Sequence, residues 1–108
     1  MSGSGITTGG GAGSPTSGGC ADIFVETTLA SPNPEIIGKL KANEQLTLQL
    51  QGERGPLLAV TKEGEIAGSI ASSSLARIIR CISEGYNFIA IVKLVSGGRC
   101  DIEIRPGG

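Results

Sequence analysis

From Asp22 onward, apolar and polar positions alternate in short runs separated by turn residues, the pattern of a small strand-rich domain. The first run, Asp22 to Leu29, puts Ile23, Val25 and Leu29 on one side. Ser31-Pro32-Asn33-Pro34 then enforces a loop, because neither proline can donate to a ladder. Glu35 to Leu40 fits no single period. Glu44 to Gln51 is the clearest strand: Leu46, Leu48 and Leu50 point one way, and Gln45, Thr47, Gln49 and Gln51 the other. After the loop Gly52 to Pro56, Leu57–Thr61 and Glu65–Ile70 read as a hairpin about Gly64, which supplies the positive φ of a tight turn. Gly68, inside the return strand, marks a bulge or a close backbone approach.

The period then changes. Leu75, Ile78, Ile79 and Ile82 form one apolar helical stripe, with Ser72 or Ser73 able to cap its start and Gly85 placed to end it. Arg77, Arg80 and Glu84 project from the opposite side. Tyr86 to Val95 is apolar on both faces and is expected at a central position, so Ile89, Ile91 and Val95 need cover. Ser96-Gly97-Gly98 returns the chain into Arg99–Arg105, where Cys100, Ile102 and Ile104 face inward. The predicted order is β-β-β-β-α-β-β. This is a mainly β fold with one helix, a small curled sheet or barrel of the OB type, because closure removes exposed strand edges. Phe24 and Phe88 read as core residues, leaving Tyr86 as the exposed ring.

Composition divides the chain in two. Met1 to Gly19 holds eight of the 18 glycines, seven Ser or Thr and no charged side chain. Such a stretch cannot bury enough surface to offset backbone ordering of about 1–2 kcal/mol per residue, so a flexible tail over 1–19 precedes one globular domain over 20–108. The tail lacks the basic start and apolar run of a secretory signal, and no run of 18 apolar residues occurs, so neither a membrane association nor export is expected and the location reads as cytoplasmic. Cys20, Cys81 and Cys100 are odd in number and widely spaced, which suits reduced thiols better than a disulfide framework or a metal knuckle.

The residue inventory argues against catalysis. Without His there is no ordinary base near neutral pH, no Ser-His or Cys-His pair and no imidazole metal ligand. The carboxylate pairs Glu63/Glu65 and Asp101/Glu103 read as solvated surface, and Ser72-Ser73-Ser74 as capping rather than a nucleophile elbow. The tail glycines open no helix and precede no Lys-Ser/Thr, so they make no phosphate loop. No catalytic residue, metal or cofactor is therefore expected.

Binding remains. If Glu44–Gln51 pairs antiparallel with Leu57–Thr61, Lys39, Lys41 and Lys62 share one rim that could hold a phosphate or an acidic partner. With nine Lys+Arg against ten Asp+Glu, any such attraction is local. The succession of Glu44-Gln-Leu-Thr-Leu-Gln-Leu50, a loop, Leu57-Leu-Ala-Val60, Gly64-x-x-x-Gly68-x-Ile70, an apolar helix and a closing hairpin resembles the HIRAN domain, over about residues 36–105. The resemblance implies an OB-like module recognising single-stranded DNA ends. The family's Asn and Asp before the apolar strand are absent from Gly52-Glu-Arg-Gly-Pro56, and Ala71 stands where it has Pro. The expected function is thus a non-catalytic, DNA-binding accessory module with phosphate-dominated contacts. The alternative is a protein-interaction or self-associating assembly subunit that uses an open sheet edge and no nucleic acid.

Overall fold

The computed structural model describes residues 19–107; the tail expected over 1–19 lies, apart from Gly19, outside the described residues. A 3₁₀ turn at Cys20–Asp22 leads into β1 (Val25–Thr28). Then follow α1 (Pro34–Ile37), β2 (Gln45–Leu50), β3 (Leu57–Val60), β4 (Ile66–Ser69), α2 (Leu75–Ser83), β5 (Phe88–Ser96) and β6 (Arg99–Pro106). Four strands, a helix and a closing hairpin are the expected order. The addition is α1, which occupies the stretch of unclear period. There Asn33 caps the first turn by accepting from the Glu35 N–H, and Pro34 sits where a missing N–H does no harm.

All pairings are antiparallel, in the order β1-β6-β5-β2-β3-β4. The sheet curls into a half-barrel whose edge strands come together at one bridge, Ala30 with Ser69. Gly68 is why they can. A Cβ there would stand 3.0 Å from the Ala30 carbonyl oxygen, so the close approach expected of this glycine is to the strand that completes the curl. The bulge lies beside it: Ala59 faces Gly68 and Val60 faces Ile66, leaving Ala67 as the extra residue.

The core fills the concave side. Leu46, Leu48, Leu57, Ala90, Val92, Cys100, Ile102 and Ile104 are buried in alternation along their strands, and Ile78 of α2 and Ile37 of α1 pack into the same cluster. Helix α2 ends as its sequence implies. Gly85 takes φ +104°, the Gly85 N–H donates to the Ile82 carbonyl, and the Tyr86 N–H donates to that of Cys81, which is a Schellman ending. Its start differs by a residue: Ser74 is the cap position, and the Ser72 hydroxyl oxygen accepts from the Ser74 N–H. Gly97 and Gly98 both have positive φ, as a two-residue turn between Ser96 and Arg99 requires.

Two burial expectations are corrected. Phe24 is 60% exposed rather than core, because it alternates with Ile23 and Val25, which point inward. Glu103 is not solvated surface but 7% exposed, closed in by neighbouring strands on both sides. The doubly apolar strand is largely covered, with Ile91 buried and Ile89 and Val95 half-buried.

Candidate functional site

The antiparallel pairing on which the lysine-rim expectation rests is present, with Thr47 opposite Val60 and Leu50 opposite Leu57. At this end of the sheet a cleft of about 300 Å³ is lined by Lys39, Glu44, Thr61, Glu63 and Glu65, together with Ile36 and Leu40. Lys39 is tied to Glu65 (Nζ to Oε2, 3.6 Å), and the Glu44 carboxylate accepts from the Lys41 N–H. Lys41 and Lys62 are exposed and stand outside the lining. Three carboxylates against one ammonium make this cleft a poor receptacle for phosphate.

A second cleft, of about 330 Å³, lies on the convex face of β1, β6 and β5 and includes Glu26, Thr28, Lys93, Arg99 and Asp101. The Thr28 hydroxyl and the Arg99 Nε–H both donate to Asp101 Oδ1, at 2.7 and 2.9 Å. These bonds, Arg99 first and Thr28 second, hold the Asp101 carboxyl below the usual range, and the same pairing raises the Arg99 guanidinium. The β5 bulge turns Lys93 into the extra residue between Val92 and Leu94. Lys93 Nζ and Arg105 Nε then flank the Glu103 carboxylate at 3.5 and 3.7 Å. Asp101 and Glu103 thus each have at least one cation beside them.

The third cleft requires a correction to the cysteine reading. Cys20 and Cys81 are joined by a disulfide, with Cα atoms 5.7 Å apart and a sequence separation of 61. Cys100 is the free cysteine and is buried; burial foremost, with Asp101 second, pushes its thiol up. The bond draws the Gly19–Cys20 segment against α2 and forms one wall of a cleft of about 340 Å³. Arg77, Arg80, Glu84 and Tyr86 form the rest of its rim. Arg77 and Arg80, three apart on one helix, share a face. The Schellman turn swings Tyr86, 44% exposed, in beside them. Two guanidinium groups, one carboxylate and one aromatic ring leave the cleft with a net positive charge.

Arg77, Arg80 and Glu84 share a helical face and Tyr86 lies at the surface, as their spacing predicts, whereas nothing in the spacing of the cysteines brings Cys20 to them. Among the described residues no cluster of three or more His, Cys, Asp or Glu side chains could hold a metal ion, and no helix is long and apolar enough to cross a membrane. No family model, no curated protein and no solved structure matches this chain.

Proposed function

We propose that this chain is a non-catalytic binding module, HIRAN-like in role, that holds a short single-stranded nucleic acid at the cleft beside α2. The carrying observation is the meeting of Arg77, Arg80 and Tyr86 in that cleft. Guanidinium groups give forked, charge-assisted bonds to phosphate, and an exposed ring stacks a base whatever its identity, worth about 1–3 kcal/mol per base. Lys39, Lys41 and Lys62 act at a distance in this reading, as diffuse charge rather than direct grips.

Binding is weak and salt-sensitive, because at most about two phosphates are neutralised and the slope of log affinity against log salt for a single strand is then no steeper than about −1.4. The test is fluorescence anisotropy of end-labelled oligothymidylate between low and moderate salt, with Arg80→Ala beside the parent. Saturable binding that fades with salt and weakens in Arg80→Ala supports the reading. Absence of binding overturns it, and loss only in Lys41→Ala or Lys62→Ala would move the site to the lysine rim.

A second reading is a protein-interaction or self-associating surface on the convex face, favoured by the exposure of Phe24 and Leu94, at 60% and 52%. Concentration-dependent sedimentation without any response to oligonucleotide would select it. The cytoplasm is the proposed location. Disulfides are rare there, and those that form are usually transient and catalytic or redox-sensing.

A further inference from the structure

We propose that the Cys20–Cys81 disulfide is a redox switch for the cleft at α2, an inference that rests on the binding reading above. Three observations combine. The bond supplies one wall: Gly19 and Cys20 border the cleft, while Arg77, Arg80, Cys81 and Glu84 belong to the helix and its cap. The segment carrying that wall has mainly local backbone bonds, Asp22 N–H to the Gly19 carbonyl and Ile23 N–H to that of Cys20. Its next anchor in the core is Ile23, just before β1. Finally, Cys20 is only partly buried, whereas Cys81 is closed off in the helix, so one sulfur is accessible to an attacking thiolate.

The reaction is thiol–disulfide exchange with a dithiol donor. A donor thiolate attacks Cys20 Sγ, the Cys20–Cys81 bond breaks, and Cys81 leaves as a thiolate that takes up a proton. The donor's second thiolate then displaces Cys20. The donor is oxidised by two electrons to its own disulfide, and this chain gains two electrons and two protons as two thiols. Once the bond is open, residues 19–22 leave the helix and the cleft loses its outer wall. Glu84, already exposed and with its Oε1 3.9 Å from Cys20 Sγ in the bonded form, loses that neighbour one helical turn beyond Arg80. An Arg80–Glu84 pair at i, i+4 then competes with phosphate for the guanidinium. The oxidised form binds; the reduced form releases.

The experiment compares oxidised protein, protein reduced by a phosphine, and the Cys20→Ser variant, each titrated into labelled oligothymidylate at low salt. The expected result is binding by the oxidised form, weakened about tenfold on reduction and equally in Cys20→Ser. A second readout needs no ligand. Tyr86 is the chain's one tyrosine and there is no tryptophan, so intrinsic emission reports directly on this cleft and changes on reduction. Amide exchange on reduction should quicken far more at residues 20–23 than at Leu46 and Val92, where it follows only the fall in global stability. Equal affinity in both redox states rejects the switch and leaves the binding function standing. Absence of binding in both rejects the binding function and the switch with it. Exchange at Leu46 and Val92 that quickens on reduction as much as at residues 20–23 rejects the switch in favour of a bond that simply holds the domain together.

Discussion

Closure of the sheet at Ala30 and Ser69 depends on the missing side chain of Gly68, and Gly68→Ala tests it. The bridge comprises the Ala30 N–H to the Ser69 carbonyl at 2.8 Å and the Ser69 N–H to the Ala30 carbonyl at 2.9 Å. The Ser69 hydroxyl adds a longer contact to the same Ala30 oxygen, 3.3 Å. An added Cβ at position 68 would sit 3.0 Å from that oxygen, 3.2 Å from Leu29 Cβ and 3.3 Å from Leu29 Cδ1. The oxygen is backbone and Leu29 is buried, so neither yields freely. Two backbone hydrogen bonds stretched or lost amount to about 2 kcal/mol, and crowding Leu29 adds about 1 kcal/mol. Against this, Gly→Ala in an ordinary backbone region narrows the unfolded ensemble by about 0.5 kcal/mol. The net destabilisation is about 2–3 kcal/mol, which lowers Tm by about 10 °C or more in a domain of this size. Urea unfolding supplies the energy, and amide exchange at Ala30 and Ser69 localises it. Gly64 is the control. It has φ +87° and open space around its Cβ position, so Asn substitutes there with little loss, whereas at Gly68 Asn is worse than Ala. A Gly68→Ala protein as stable as the parent would refute the reasoning.

Reduction of the disulfide destabilises the domain by at most about 4 kcal/mol, from the loop-closure entropy of a 61-residue separation, read as a fall in urea midpoint with and without phosphine; no fall would mean that the bond constrains little. Asp101 has its folded pKa depressed by Arg99 and Thr28, so its stabilisation is fully present above the ordinary carboxylate value and is lost as pH falls through the lower folded value. Carboxyl-carbon NMR should find that lower midpoint, and Asp101→Asn should flatten the corresponding part of the stability–pH curve; an unshifted midpoint would contradict the Arg99 and Thr28 bonds. Cys100, buried and with its thiol pushed up, resists iodoacetamide in the native oxidised protein and accepts one label after denaturation; native labelling would contradict its burial.

The sheet was legible because its signals are local. Leu46, Leu48 and Leu50 alternate with Gln45, Thr47 and Gln49, and a one-residue slip would put every leucine in water. Gly64, Gly85, Gly97 and Gly98 mark turns that need positive φ, and each takes it. The misjudged residues were judged by type against their own alternation. Phe24 sits between Ile23 and Val25, both pointing inward, so period two sends the ring outward whatever its hydrophobicity. Glu103 alternates correctly to the convex face, but its burial comes from position in the sheet order. Strand β6 lies between β1 and β5, with Glu26 and Ile91 opposite Glu103, and no pattern within Arg99–Arg105 states which strands those are.

The cleft at α2 was hidden for a related reason. Arg77, Arg80 and Glu84 follow from helical spacing, and Tyr86 from the glycine cap, so three of its walls could be drawn from ten consecutive residues, 77–86. The fourth wall is Cys20, and three cysteines allow three pairings that only tertiary placement can decide. What decides it is the path of the first strand. Pairing of β1 with β6 carries the start of the domain toward the end of α2, while Cys100 is committed to the core face of β6 between Arg99 and Asp101. Cys100 therefore has no route to either partner, and Cys20 and Cys81 are left at bonding distance. The odd cysteine count, which argued for reduced thiols, is the sum of one inert core residue and one pair, and the pair stands where the positive charge and the exposed ring already are.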